Sequence, residues 1–363
     1  MIQSLIDSEA KEKVLNGERI SPAEARELYH APLAELALLA DARRRQIQQP
    51  AYDGRGNEIV TYIVDRNINY TNVCDVYCKF CAFYRTEKDA DHYVLPPEVI
   101  SQKIRELEAI GGTQILMQGG HHPGLKIDYY LELLNHIRTN HPTINIHGFS
   151  PPEFNHFASV FNMPLEEVIV RFKEAGLGSI PGGGGEILVD AIRNRISPRK
   201  CTGSQWLDVM RIAHRHGLNS SATMMFGHVE SVDDRIEHLR LLRDQQDETG
   251  GFTAFICWTF QPDNTVLKAE PVGSHEYLRM QALSRIFLDN IPNIQSSWVT
   301  QGPQIGQVAL QFGANDFGSI MMEENVVSSA GTSFRLTVAE MTRLIREAGY
   351  EARQRDNWYR LLN

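Results

Sequence analysis

The sequence lacks the features that would place the chain in a membrane or on nucleic acid. No apolar run approaches the roughly 18 residues that a membrane-spanning helix needs. The N-terminal stretch has neither a basic start nor a long apolar core, which argues against a signal peptide. No basic block stands out and the net charge is −9, so a nucleic-acid partner is not expected. We predict a cytoplasmic protein with no membrane and no nucleic-acid partner.

Internal repeats and low-complexity segments are also absent, and a different regularity begins after residue 56. Short apolar, β-branched runs alternate there with amphipathic helical stretches, which implies parallel strands joined by helical crossovers. The predicted strands are 59–68, 113–117, 144–149, 177–180, 220–226, 252–260, 294–299 and 308–312. These units predict an α/β fold, a closed (β/α)₈ barrel of the TIM type. An open sheet of six units is the alternative, because the last two strands have the weakest pattern.

Helical extensions are predicted on both sides of the barrel. A capping box at Ser21, with proline next to it, predicts a helix from there to about Arg45, and a second capping box at Thr337 predicts a closing helix with a short tail. The turn-rich segment 50–57 is a natural boundary. We therefore expect an N-terminal helical extension (1–56), a barrel (57–336) and a C-terminal helix and tail (337–363).

Cysteine is scarce, but three of the five cysteines fall within eight residues, directly after the first predicted strand. The three, spaced C-x₃-C-x₂-C, are Cys74, Cys78 and Cys81. Clustered cysteines in a reducing compartment indicate metal ligands, and three thiolates suit an iron–sulfur cluster with one open iron. Structural zinc is the alternative, with His92, His121 or His122 as its fourth ligand. Cys201 and Cys257 lie far away and are interpreted as buried or spectator thiols.

The loop after the second predicted strand carries Gly119, Gly120, His121 and His122. Chemistry in this architecture sits at the carboxyl ends of strands, so these residues are candidates for a site. The glycines allow a close approach of the backbone. The two histidines are either polar loop residues or groups for substrate hydrogen bonding and proton transfer, since histidine titrates near neutrality.

Four consecutive glycines, 182–185, follow the fourth predicted strand and precede Glu186. A phosphate-binding loop would continue with lysine and serine or threonine, whereas Ile187 and Leu188 follow here, which excludes a nucleoside-triphosphate site. The remaining interpretation is a backbone that passes close to a ligand. Glu186 then holds a ribose hydroxyl, or else is a helix-start carboxylate favoured by the helix dipole.

The cysteine spacing, with the aromatic residue Phe80 just before Cys81, resembles the signature of the radical S-adenosylmethionine (SAM) superfamily. The resemblance implies a 4Fe–4S cluster, SAM bound to the open iron, and cleavage of SAM to methionine and a 5′-deoxyadenosyl radical. It places Phe80 near the adenine of SAM, unless Phe80 is a plain core aromatic, and the carbonyls of Gly119 and Gly120 near the amino group. His121 stands where members often have glutamate. A low-potential electron donor such as flavodoxin or ferredoxin is implied.

From about residue 57 to 335 the chain resembles the group that contains the menaquinone enzymes of the futalosine route and the deazaflavin synthase subunits. The segments that carry this resemblance are 77–85, 118–123, 222–230, 246–256 and 313–318. Three further segments favour the cyclic dehypoxanthine futalosine synthase family over aminofutalosine synthase: 121–123, 196–200 and 258–262.

That family resemblance implies a reaction in which hydrogen leaves C4′ of the ribose of dehypoxanthine futalosine and a ring then closes on the benzoate. The substrate carboxylate needs donors, and the candidates near predicted strand ends are Arg66, Asn67, Thr300 and Gln301. The alternatives are aminofutalosine synthase, a deazaflavin (FO) synthase subunit or, from a different class, an iron–sulfur carrier or scaffold.

Overall fold

The fold is organised around one sheet of ten strands in a computed structural model that describes residues 8–331 and 334–362. The strands are β1 (Ile59–Ile63), β2 (Asp65–Ile68), β3 (Gln114–Met117), β4 (Asn145–Gly148), β5 (Ser179–Ile180), β6 (Asn219–Phe226), β7 (Phe252–Thr259), β8 (Asn293–Gln295), β9 (Asp316–Ser319) and β10 (Glu351–Gln354). Every pairing between them is parallel. The carboxyl ends of the barrel strands therefore share one face.

The sheet curls round because its two sides meet at the first strand. Only Val64 separates β1 from β2; β1 pairs with β9 and β10, whereas β2 pairs with β3. The remaining strands follow in chain order from β3 to β9, so β1 and β2 together act as one barrel strand. The α/β barrel prediction is confirmed, and the open six-unit sheet is not formed. The ten-stranded order includes β10, which lies alongside β1 outside this cycle.

Helices lie between the strands and before β1. They are α1 (Glu9–Leu15), α2 (Pro22–Tyr29), α3 (Leu33–Gln48), α4 (Pro97–Glu108), α5 (Ile127–Asn140), α6 (Pro151–Phe161), α7 (Leu165–Ala175), α8 (Asp190–Ile196), α9 (Gly203–Arg215), α10 (Val232–Thr249), α11 (Ser274–Phe287), α12 (Trp298–Gln301), α13 (Pro303–Val308) and α14 (Val338–Glu347). The capping boxes predicted at Ser21 and Thr337 are both formed. Within the described chain, no helix is long and apolar enough to cross a membrane.

The prediction of a strand at 308–312 is wrong. This apolar stretch ends α13 and continues as a 3₁₀ turn, Ala309–Phe312, which buries Ala309 and Leu310. The eighth barrel strand is β9, four residues further on, where Asp316 and Phe317 are buried. The strand predicted at 294–299 also ends early, and its last residues begin α12. Short apolar runs do not distinguish a strand from a buried helical turn by pattern alone.

Both ends of the chain differ from the expectation as well. The single N-terminal helix expected to about Arg45 is two helices, α2 and α3, separated at His30–Pro32, because the residue before a proline avoids the helical conformation. After α14 the expected tail forms β10, and Arg355 then reaches the carboxylate of Asp316 at 2.6 Å. The three-part division at residues 56 and 336 stays a prediction.

Candidate active site

The cysteine loop leaves the carboxyl end of β2 and is fixed by backbone hydrogen bonds rather than by regular structure. Cys74 N donates to Arg85 O at 2.9 Å, and Lys79 N donates to Ile196 O at 2.9 Å. Tyr77 has a φ of 54°, a left-handed conformation that reverses the chain between the first two cysteines. These bonds attach the cysteine loop to Arg85, further along the chain, and to Ile196 at the end of α8.

All three motif cysteines line one cavity of ≈ 250 Å³, which we call the cluster cavity. It is also lined by the other cofactor-binding candidates from the sequence, Phe80, Gly119, Gly120 and Glu186. Burial raises the pKa of the Cys74 thiol and raises that of Cys78 to about 12. Neither Cys201 nor Cys257 lines this cavity: Cys201 contacts Arg193, and Cys257 is fully buried against Gln281.

The spacing of the ligand atoms favours a multi-iron group over one zinc ion. Among the described residues, the one trio of histidine, cysteine or carboxylate ligand atoms within 4.8 Å of one another is Asp75, His121 and His156. The three thiols are therefore spaced more widely than the ligands of a single tetrahedral ion, for which the zinc–sulfur distance is about 2.3 Å. Of the histidines considered as a fourth zinc ligand, only His121 lines the cluster cavity.

Gly119 and Gly120 bring the second loop against the cysteine loop. A Cβ atom on Gly120 would lie 2.1 Å from the carbonyl oxygen of Val73, and one on Gly119 would lie 2.5 Å from the ring of Tyr70. No larger residue fits there without moving the cysteine loop. Gly119 N also donates to the carboxylate of Glu153 at 3.0 Å, a buried group whose pKa is raised by burial.

Glu153 was missed by the sequence reasoning although it carries a readable signal. It forms a capping box with Ser150 at the start of α6, and it also accepts the hydroxyl of Tyr70 at 2.8 Å. One carboxylate thus links the β2 end, the glycine loop and α6. The Ser150-Pro-Pro-Glu153 pattern predicts the cap, but its contact with Gly119 depends on the tertiary fold.

Glu186 lies at the boundary of the site with an ion pair on one side. Its Oε1 atom is 3.1 Å from the ammonium of Lys200, and its Oε2 atom, which has no hydrogen-bond partner in the described chain, is 3.8 Å from Arg193. Burial lowers the pKa of Lys200, but the Glu186 carboxylate and the Cys78 thiol outweigh it, so the net direction is upward. Helix α8 begins only at Asp190, so Glu186 is not a helix-start carboxylate.

Glu186 also has a strained backbone, with a φ of 33°. The glycines before it are needed for packing: a Cβ on Gly182 would lie 2.7 Å from the backbone of Ala222, and one on Gly183 would lie 2.1 Å from the amide of Gln118. Arg193 donates to the carbonyls of Gly184 and Gly185 at 3.1 and 2.8 Å. The tetraglycine turn is therefore a fixed wall that directs Glu186 into the cavity.

The two histidine candidates are separated by the structure. His121 is buried in the cluster cavity wall, its ring centroid 4.9 Å from that of His156, and burial lowers its pKa well below the usual value. His122 does not line the cavity; its Nδ1 accepts Gly124 N at 3.0 Å, and its pKa is also lowered by burial. His122 thus holds the shape of its own loop.

A second cavity of ≈ 300 Å³, the barrel cavity, lies inside the strands and adjoins the first. Both cavities are lined by Gln118, Gly183, Gly184, Glu186, Trp258, Val326 and Val327. Among the carboxylate-binding candidates, Asn67 and Thr300 line the barrel cavity. Arg66 does not: it faces outward and pairs with Glu106 and Glu323. Gln301 is also outside its lining and donates to Thr259 at 2.6 Å.

Buried titratable groups occupy the wall of the barrel cavity. His147, on β4, shares a 2.7 Å hydrogen bond between Nδ1 and Ser179, and burial lowers its pKa to about 3. Asp65 contacts the hydroxyl of Ser319 and the amide of Gln114, and burial raises its pKa to about 6. Neither group was predicted from the sequence, because their partners lie on other strands.

The chain matches known protein families along most of its length. Residues 68–242 match the radical SAM superfamily, and residues 249–363 match the CofH/MqnC C-terminal region. Over 97% of its length the chain is 47% identical to a cyclic dehypoxanthine futalosine synthase of Halalkalibacterium halodurans, 94% of which is covered. The chain belongs to the radical SAM superfamily. The enzyme assignment from the sequence is confirmed, and the carrier or scaffold alternative falls away.

The chain is also similar to a transferase and to a solved structure. This radical SAM enzyme is 39% identical to a 5-amino-6-(D-ribitylamino)uracil–L-tyrosine 4-hydroxyphenyl transferase of Methanococcoides burtonii, over 98% of this chain and 99% of the relative. The crystal structure of methylornithine synthase superposes with a TM-score of 0.71 at 16% identity, covering 94% of this chain and 97% of that one. At this identity, the similarity to methylornithine synthase shows a shared fold alone.

Membership of the superfamily implies a 4Fe–4S cluster and SAM, and the residues present fit both. Three thiols that line one cavity leave one iron of a four-iron cluster without a protein ligand. Glu186 lines that same cavity, and its buried Oε2 atom has no hydrogen-bond partner in the described chain, so its carboxylate is the candidate acceptor for a ligand hydroxyl. Lys200, 3.1 Å from the other oxygen, supplies a positive charge.

Proposed function

We propose that this enzyme converts dehypoxanthine futalosine to cyclic dehypoxanthine futalosine. The observation that carries the proposal is the 47% identity, over nearly the whole chain, to a relative that bears this name. The geometry supports it, because a cavity inside the barrel adjoins the cavity of the three cysteines. A substrate in the barrel cavity would place its ribose towards the cysteine loop.

The chain's residues have separate tasks in this proposal. Cys74, Cys78 and Cys81 hold the cluster, and Phe80 and Glu186 bind the adenosyl part of SAM. When bound, the cluster and SAM supply a 5′-deoxyadenosyl radical that takes hydrogen from C4′ of the substrate. The strands around the barrel cavity exclude water and fix the substrate, which matters because orientation determines where so reactive a species attacks.

The substrate carboxylate would be bound by neutral donors. Arg355 is the one arginine or lysine that lines the barrel cavity in the described chain, and it already forms a bidentate pair with Asp316 at 2.6 and 3.0 Å. Asn67 and Thr300 line the same cavity and offer an amide and a hydroxyl. We assign the carboxylate to these two groups rather than to Arg355.

Ring closure releases a proton, and His147 is placed to accept it. The overall change would remove one hydrogen atom from C4′ and one proton and one electron from the ring, and atoms and electrons would balance with the cluster as the acceptor of that electron. His147 lines the barrel cavity, and its bond to Ser179 leaves Nε2 without a hydrogen-bond partner in the described chain. Burial lowers its pKa to about 3, so the ring is neutral before the reaction and its Nε2 lone pair can face the proton that leaves the substrate ring.

Substrate carrying deuterium at C4′ tests the reaction. With SAM and a low-potential reductant, mass spectrometry is expected to find one deuterium in released 5′-deoxyadenosine and a ring-closed product. His147→Gln should keep the deuterium transfer and lose most of the ring-closed product. Retention of deuterium in the substrate would refute the proposal.

The transferase relative supplies the second candidate function and a direct control. The same enzyme preparation is given 5-amino-6-(D-ribitylamino)uracil and tyrosine, the two compounds in that relative's name. The proposal expects no coupled product from them. A hydroxyphenyl adduct formed faster than the ring-closed product would favour the transferase function instead.

A further inference from the structure

Four exposed cations lie around the outer side of the cysteine loop without a carboxylate partner in the described chain. They are Lys79, Arg195, Arg199 and Lys268. Three of them bond only to backbone carbonyls: Arg195 to Val229, Arg199 to Asp75 and Lys268 to Thr265. They form a local basic group on a chain of net charge −9.

Three chain segments bring these cations together at Lys79. The backbone nitrogen of Lys79 donates to Ile196 O at 2.9 Å, and its carbonyl accepts Leu267 N at 2.7 Å. Arg195 immediately precedes Ile196, and Lys268 immediately follows Leu267. The cations therefore form one surface around the residue that follows Cys78.

Apolar side chains occupy the same surface. Tyr77 is 41% exposed and Val266 is 69% exposed. The guanidinium of Arg199 lies 5.0 Å from the ring centroid of Tyr77, which places cation and aromatic side by side. The one acidic group on this stretch of the loop, Asp75, has its carboxylate within 4.8 Å of the nitrogen atoms of His121 and His156. An aromatic centre with an arginine-rich rim is typical of a protein-binding surface.

We infer that this surface docks an acidic protein that carries a low-potential one-electron centre. The surface consists of Tyr77, Lys79, Arg195, Arg199, Val266 and Lys268. It covers the loop that separates the cysteines from solvent, so a carrier bound there delivers one electron to the cluster by the short route. The rest of this acidic chain repels an acidic carrier, and that contrast orients the encounter. One electron leaves the carrier and one enters the cluster, with no bond made or broken.

The test compares a double variant of this surface with a control double variant elsewhere, each of which changes the net charge by the same amount. The first variant, Arg195→Glu with Lys268→Glu, changes the surface without altering the residues next to the cysteines. The control, Arg138→Glu with Lys173→Glu, reverses one arginine and one lysine that also have no carboxylate partner in the described chain, near the ends of α5 and α7. Those helix ends lie at the opposite face of the barrel, because the helices run antiparallel to the strands. Lys79→Glu is a second, independent surface variant.

Reduced flavodoxin is the probe, and stopped-flow bleaching of the cluster is the readout. At low ionic strength the surface variants should be reduced about tenfold or more slowly than wild type, with a weaker dependence on salt. Binding of oxidised flavodoxin to the cluster-free protein should weaken in parallel. Dithionite, a small reductant that needs no docking, should reduce all variants at the wild-type rate, and iron content should be unchanged.

Three results would overturn the inference. Flavodoxin could reduce the surface variants at the wild-type rate, or the control variant could lose as much rate as they do. Sedimentation could also show a dimer of this chain that the surface reversals dissociate, which would assign the surface to a second copy. Loss of ring closure with dithionite as reductant bears instead on the proposed function, because that assay bypasses the docking step.

Discussion

Replacing Glu186 by glutamine separates ligand binding from local stability at the centre of the site. Glutamine keeps the shape but removes the charge that Lys200 pairs with at 3.1 Å and the acceptor strength of the free Oε2 atom. If Oε2 accepts a ribose hydroxyl, a hydrogen bond to a charged acceptor is lost, worth about 1.5–3 kcal/mol. That is roughly a 10- to 150-fold rise in the dissociation constant of the nucleoside ligand.

The same change leaves the ammonium of Lys200 mostly buried without its partner. The Lys200 side chain is 11% exposed and that of Glu186 is 6% exposed, so breaking this pair costs up to about 3–5 kcal/mol of unfolding free energy. A second variant, Lys200→Met, and the double variant with Glu186→Gln complete a thermodynamic cycle. The double variant should recover most of the stability, since neither charge is left alone, but it should not recover affinity for SAM.

Calorimetric titration of SAM into reconstituted protein measures the affinity, and urea unfolding measures the stability. The visible spectrum and iron content should remain those of wild type, because Glu186 is not a thiol ligand. If Glu186→Gln binds SAM and substrate as tightly as wild type, the carboxylate does not hold a ligand. If the double variant regains full affinity, the loss in Glu186→Gln comes from the unpaired charge of Lys200 and not from a lost contact between the carboxylate and the ligand.

Three further expectations rest on single contacts. Cys81→Ala should lose the cluster and all SAM cleavage whereas Cys201→Ala keeps both, as iron analysis and a cleavage assay will show; full cleavage by the first variant would refute the ligand assignment. Arg355→Met leaves the carboxylate of Asp316, which is 0% exposed, unpaired; unfolding in urea should show a loss of about 3–5 kcal/mol, and an unchanged midpoint would contradict it. Burial lowers the pKa of His238 to about 3. Between about pH 6.5 and pH 3 the imidazole of His238 is therefore protonated in the unfolded chain but neutral in the native state. As the pH is lowered through this range, His238 should reduce the free energy of unfolding by about 1.4 kcal/mol per pH unit. His238→Gln should remove that part of the pH dependence, and an unchanged pH dependence would refute the expectation.

Local patterns in the sequence predicted the parts of the site that are local in the chain. The cysteine spacing, the neighbouring Phe80 and the glycine pair at 119–120 all lie in loops directly after strands, where a barrel places its chemistry. Capping boxes predicted two helix starts correctly, at Ser21 and Thr337, because the cap is a contact between residues three positions apart. Such features need no knowledge of the tertiary fold.

Contacts between residues that are distant in the chain could not be predicted from local sequence patterns. Asp316 begins the last barrel strand, where Thr61 and Arg355 bind its carboxylate, and both residues lie far from it in the chain. The stretch 308–312 is more apolar than β9, so hydrophobic pattern alone selected the wrong segment. Arg66 was chosen as a donor from its position on β2, but strand residues alternate in direction and this one faces α4.

The positions of the two cavities set the paths of the electron and the substrate. The three cysteines line the cluster cavity, whose inner side is shared with the barrel cavity through Gln118 and Trp258. On the outer side, the exposed cations surround Lys79, which lies in the loop that carries the cysteines. Arg355 and Tyr359 line the barrel cavity after β10, so the C-terminal segment closes the end from which the strands start. A substrate can then enter only at the carboxyl ends of the strands, and an electron carrier bound outside the cysteine loop does not obstruct that entrance.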